Sequence, residues 1–137
     1  MTGVQTCALP IYRLSGSTET KLGQALVGTG FAYEPAVRAH QAAVVAGLIV
    51  HIRDIRRFGS AAIDLCQAAE GRLDAFYEQG LNEWDHAAGG LIAREAGLLV
   101  TGISGAPPGP DLVIAAPPAL HEPLHAHLLQ LNAAGKP

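Results

Sequence analysis

Residues 78–97 read EQGLNEWDHAAGGLIAREAG, and this stretch decides how the rest of the chain is read. Glu78 closes a strand-like run, Gly80 and Asn82 make a turn, and Asp85 falls in the opening turn of an Ala/Gly-rich helix that Gly97 stops. Two carboxylates at such element ends suit a polyol, whose hydroxyls donate to carboxylate oxygens, and a hard divalent cation, which takes oxygen ligands. The same spacing has a plainer reading. An acid in a first helical turn complements the exposed N–H groups and the helix dipole, and an acid at a strand end is ordinarily solvated.

Working outward, residues 25–29 predict a short strand and Pro35 opens a helix through about Val50. A strand over 54–58 follows, then a turn at Gly59 and Ser60 and a helix to about Ala69 that Gly71 breaks. Residues 73–78 predict a strand, because Leu73, Ala75 and Tyr77 alternate with Asp74, Phe76 and Glu78. After the helix over 84–96 come short strands over 98–101 and 112–115, separated by the turn-rich GISGAPPGP, and a terminal helix beyond Pro117 and Pro118. Repeated strand–helix units predict an α/β fold, a layered mixed sheet with covering helices. Its expected core is Ala61, Ile63, Leu65, Leu73, Ala75, Leu91, Ile92, Leu98, Val113 and Ile114, with Trp84 as a packing residue that fixes its helix.

At 137 residues the chain suits one core. It is 49% apolar and 15% charged, which argues against disorder and leaves a surface poor in charge, some of it expected to lie against missing sequence. A net charge of −3 gives no nucleic-acid footprint. The apolar run over 36–50 contains Arg38, His40 and Gln41 and is too short to span a bilayer. Cys7 and Cys66 form neither a disulfide framework nor a metal signature, so the default location is cytoplasmic. Residues 1–11, MTGVQTCALPI, fit neither the following pattern nor a targeting signal and read as a non-native, sequencing-derived leader, which leaves Cys7 without a role.

Several motifs invite chemistry that their context opposes. Gly28, Thr29 and Gly30 lack the spacing of a dinucleotide or phosphate loop. His121-Glu122-Pro123-Leu124-His125 satisfies HExxH, but it has no third ligand and places a proline where only a helix opening tolerates one, so it reads as a solvated terminal helix. His40, His51 and His86 read as surface or helix residues. Cys66 sits among Ala62, Leu65 and Ala69 as a small apolar residue, and GISGA is no nucleophile elbow. Arg56 and Arg57 suit a phosphate, or are simply exposed structural arginines.

The stretch WDHAAGGLIAREAG, with LVGTGFAY at residues 26–33 and DIRRFGSAAIDLCQAAEGRLDAFYEQG at 54–80, resembles the C-terminal motif of the inositol monophosphatase family. The likeness runs over about residues 22–129. It implies a Mg2+-dependent phosphomonoester hydrolase acting on an inositol phosphate or a related polyol or histidinol phosphate. It also assigns roles: Asp85 as a metal ligand, Glu78 as a recogniser of substrate hydroxyls, and Gly59, Ser60 and Ala61 as a small-residue turn beside the substrate.

The family's DPxDGTxN segment is absent from this sequence. Residues 12–137 are therefore expected to be a partial domain, the C-terminal subdomain of the fold, inactive alone, with weak Mg2+ binding and a missing N-terminal half as its partner. A homodimer and a non-catalytic sugar-binding or dimerisation module are the alternatives the resemblance leaves.

Overall fold

A computed structural model describes residues 13–136. The expected leader, residues 1–11, and Cys7 within it lie outside the described residues. Proline and glycine punctuation sets most of the element ends. β1 (Leu26–Thr29) leads through α1 (Pro35–Leu48) to β2 (Asp54–Arg56), then α2 (Ala61–Ala69) and β3 (Ala75–Glu78). α3 (Glu83–Glu95), β4 (Leu99–Thr101), β5 (Val113–Ala116) and α4 (Pro118–Gln130) complete the order. Pro35 and Pro118 each stand at a helix start, where a missing N–H costs no internal bond. Gly71 and Gly97 follow α2 and α3 at φ values of 74° and 93°, a left-handed backbone that other residues adopt only with strain.

The five strands form one mixed sheet in the order β2-β1-β3-β5-β4. β1 runs parallel to β2 and β3, as the helical crossovers between them require, while β5 is antiparallel to β3 and β4. Strand alternation then builds two cores. Val27, Tyr77, Ile114 and Ala116 meet Val44 and Leu48 of α1 and Leu120, Leu124 and Leu128 of α4. On the other face Phe76, Val113 and Ala115 meet Leu65 and Ala68 of α2, Ala93 of α3, and Leu98 and Val100.

Both faces of the sheet are thus covered and both cores close within the described residues. This corrects the expectation of a C-terminal subdomain leaning on missing sequence: the described residues build a three-layer α/β unit of their own. Among them, no helix is long and apolar enough to cross a membrane.

Three expected core residues turn out to face solvent, because the helices pack through their small side chains. In α2 the buried stripe is Ala61, Asp64, Leu65, Ala68 and Ala69, which leaves Ile63 54% exposed. In α3 it is His86, Gly89, Gly90 and Ala93, which leaves Leu91 and Ile92 outside. His86 is accordingly a buried residue and not a surface one. A Cβ on Gly89 would lie 2.8 Å from Leu65 Cβ and 3.2 Å from the Ala62 carbonyl, so α2 and α3 approach too closely for any side chain there. At Gly90 the nearest atom would be Val100 Cγ1 at 3.6 Å, an ordinary contact.

The two adjacent glycines should therefore respond in opposite directions. Gly89→Val is expected to lower stability by about 1–3 kcal/mol through overpacking. Gly90→Ala is expected to leave stability unchanged or raise it by up to about 1 kcal/mol through helix propensity. Urea unfolding of both variants measures the contrast, and equal effects would refute the close α2–α3 contact.

Candidate active site

Phe76 and Glu78 lie two residues apart on β3 and so share the sheet face that α2 covers. Phe76 is buried in that core, and Glu78, one pleat further, emerges half-buried at its edge. Gly80, at φ 89°, turns the chain and donates its N–H to the Pro110 carbonyl at 2.8 Å. Asn82 then caps α3. Asp85 reaches back so that its Oδ2 accepts the Asn82 N–H at 2.8 Å, one half of a capping box. Its role as a helix-start acid is therefore real, but a carboxylate offers about four lone-pair positions, so the cap leaves acceptor capacity toward the pocket.

On the opposite wall, Gly59 takes φ 92° and the Ser60 hydroxyl accepts the Ile63 N–H at 3.4 Å as the N-cap of α2. Gly59, Ser60, Ala61, Glu78 and Asp85 all line one open cavity of about 340 Å³. The sequence-predicted site residues are thus brought together. The starts of α2 and α3 both face this space, so the positive ends of two helix dipoles favour an anion within it.

The same cavity carries residues that sequence reasoning weighed differently. Arg57 lines it, whereas Arg56 is turned to an ion pair with Asp54. Trp84 is 80% exposed and stands with Tyr33 at the rim, so it does not pack its helix down as expected. Asp64 was missed altogether. It is fully buried on the inner stripe of α2, with neither carboxylate oxygen hydrogen-bonded. A charged residue three positions from Ala61 and four from Ala68, in line with the apolar stripe, was the available signal.

Burial raises the Asp64 carboxyl to about 6, against a smaller opposing pull from Arg57. Burial also pushes Glu78 up to about 7, reinforced by the negative charge of Asp64, opposed by Arg57 and reinforced again by Asp85. The HExxH histidines lie elsewhere. His121 Nε2 is 2.8 Å from Thr101 Oγ1, and His125 Nε2 accepts the Ser104 N–H at 2.9 Å. Both therefore brace β4 and the loop after it instead of being solvated, and Pro123 sits inside α4 and not at its opening.

Asp85 offers the hard oxygen chemistry that Mg2+ takes. Among the described residues, no group of three His, Cys, Asp or Glu side chains gathers to hold a metal. Asp85 is thus a single donor on this wall of the cavity.

The fold and the pocket define the class: a layered α/β protein with a polar, anion-favouring cavity at two helix starts. The comparisons give the particular family. The inositol monophosphatase family model matches residues 2–133, and the chain belongs to that family. An inositol-1-monophosphatase of Mycobacterium leprae is 50% identical over 113 residues, covering 81% of this chain and 39% of the relative. The solved structure of Mycobacterium tuberculosis SuhB superposes with a TM-score of 0.79 at 44% identity, covering 89% of this chain and 48% of that one. An inositol monophosphatase from Anabaena gives a TM-score of 0.78 at 32% identity, covering 85% and 48%.

The chain spans about two-fifths of the length of the curated relatives it matches, 39% and 42% for the mycobacterial inositol-1-monophosphatases. The family likeness extends over nearly the whole chain. That extent, residues 2–133 in place of about 22–129, corrects the expectation of a likeness to a C-terminal portion, and the readings that rested on it, a portion inactive alone with an incomplete catalytic centre, a missing N-terminal half as partner and a non-catalytic binding or dimerisation module, are not carried forward. Membership of the family implies Mg2+ dependence in general.

The burial of Asp64 makes a signed prediction. Its folded-state value lies above the usual carboxylate value, so it weakens the fold as pH rises from about 4 through about 6 and the buried group must ionise. Asp64→Asn should raise stability by about 1–2 kcal/mol at pH 8 and change it little at pH 4. Urea midpoints at the two pH values check this, and an equal effect at both would refute it.

Proposed function

We propose that the pocket between the starts of α2 and α3 serves Mg2+-dependent hydrolysis of a phosphomonoester, with inositol monophosphate as the first substrate to test. One observation carries this reading: Glu78, Asp85 and the Gly59, Ser60 and Ala61 turn, separated in sequence, line a single cavity. Glu78 accepts hydrogen bonds from polyol hydroxyls, and its ionised form is the stronger acceptor, so substrate affinity rises as pH passes through about 7. Arg57 and the two helix starts favour the phosphate. The open turn at Gly59 admits the ligand close to the backbone.

Asp85 would hold Mg2+ through a carboxylate oxygen. When bound, the ion activates water and offsets charge on the phosphoryl oxygens. Histidinol phosphate and other polyol phosphates present the same pairing of hydroxyl or amine with phosphate and are the alternative substrates. A cytoplasmic setting is supported by the cysteine content, in which Cys66 is a free thiol.

Phosphate release from inositol 1-phosphate, followed against Mg2+ concentration, tests the reading. Asp85→Asn should lower turnover by about 100-fold, while its amide oxygen still caps α3 and the fold persists. Glu78→Gln should act chiefly on KM, by about tenfold, through weaker hydroxyl recognition. Turnover unaffected by Asp85→Asn would exclude this residue from the metal site.

A further inference from the structure

The β1–β3 register pairs Thr29 with Tyr77, so the next residues along, Gly30 and Glu78, lie side by side where the strands end. The carboxylate of Glu78 folds over Gly30. Both of its oxygens and its carboxyl carbon sit well inside van der Waals contact of the place where a Cβ on Gly30 would stand. Gly30 is absent from the residues that take positive φ, so its backbone conformation is one that alanine also adopts. Positive φ is therefore not what places glycine here, and a side chain at this position would displace the Glu78 carboxylate, the mobile end of its side chain.

Around it stand Asp64 from α2, Arg57 from the segment before α2, and Asp85 from α3, all of which act on Glu78 through their charges. The charges of the two acids disfavour the ionised form of the Glu78 carboxylate. The space over Gly30 is where it comes to rest.

We propose that Gly30 is a positioning residue for the site: its bare α-carbon forms the cradle that sets the height of the Glu78 carboxylate at the pocket wall and so selects which hydroxyls a bound polyol presents to it. The inference rests on the reading of Glu78 as a hydroxyl acceptor. A side chain at position 30 pushes the carboxylate outward into the cavity, where it occupies ligand space and gains solvent. Shortening residue 78 by one methylene withdraws the carboxylate from the crowded position and relieves the clash.

Gly30→Ala, Glu78→Asp and the double variant test this in the full chain with two readouts. The first is calorimetric binding of inositol 1-phosphate. Each single variant is expected to weaken binding by about 10- to 100-fold, the scale of a lost charged hydrogen bond, and the double variant to be no weaker than the worse single. Losses that multiply in the double variant overturn the cradle, as does unchanged binding in Gly30→Ala.

The second readout needs no ligand: the 13C carboxyl resonance of Glu78, assigned by its loss in Glu78→Gln. Its midpoint near 7 in the parent is expected to fall by about one pH unit in Gly30→Ala, because the displaced group is solvated. An unmoved midpoint overturns the proposal. If the parent binds no inositol phosphate while the Glu78 midpoint falls as expected, the substrate reading fails and the cradle stands. Should Gly30→Ala not fold, folding restored by Glu78→Asp supports the cradle, and failure of both shows that the strand end itself requires glycine.

Discussion

The arrangement of the pocket depends on how closely α2 and α3 approach one another. Gly89 admits the Cβ of Leu65 and the carbonyl of Ala62 into space that any side chain would fill, so the two helices lie in near backbone contact. Because both also pack on the sheet face carrying Phe76, Val113 and Ala115, their starts reach the cavity together. Ser60 at one start and Asp85 at the other are placed by a contact more than a turn away from either. The small residues that look like weak helix filler in GSAAIDLCQAA and WDHAAGG are what positions the site.

That geometry concentrates acids where water is scarce. Glu78 and Asp64 would each be costly if ionised in isolation, since burial disfavours the charged form. Two helix starts and Arg57 supply the opposing positive potential. Positive and negative groups therefore offset one another across the pocket. The raised values of Glu78 and Asp64 follow chiefly from burial, which those groups offset only in part.

The sequence was legible wherever local chemistry decides. Pro35, Gly71, Gly97, Pro117 and Pro118 marked most helix ends, and alternation in 73–78 and the short run at 112–115 identified strands that differ from the observed ones by a residue or two at their ends. The facing of the helices was not legible, because a bulk-based reading puts Ile63, Leu91 and Ile92 inside. Close helix packing instead selects Ala and Gly and turns the larger side chains out. Asp64 was passed over, although it stands in line with Ala61, Leu65 and Ala68. The pocket residues were found through family likeness and not spacing, and the Gly30–Glu78 contact was not readable at all, since it arises from a parallel pairing of strands 48 positions apart.

The HExxH run shows why a motif needs its geometry before it carries chemistry. The Thr101 hydroxyl lies 3.0 Å from the Gly102 carbonyl and 2.8 Å from His121 Nε2, so that ring nitrogen is engaged by β4. His125 Nε2 accepts from the Ser104 N–H and therefore carries none. The two imidazoles stack with centroids 6.1 Å apart, each held by a partner in β4 or the loop after it. Zinc held by this pair through Nε2 needs both of those lone pairs free and convergent. His121 Nε2 is engaged by the Thr101 hydroxyl and His125 Nε2 is committed to a backbone amide, so the helix spacing that satisfies the motif is used to fasten α4 to β4 and its following loop.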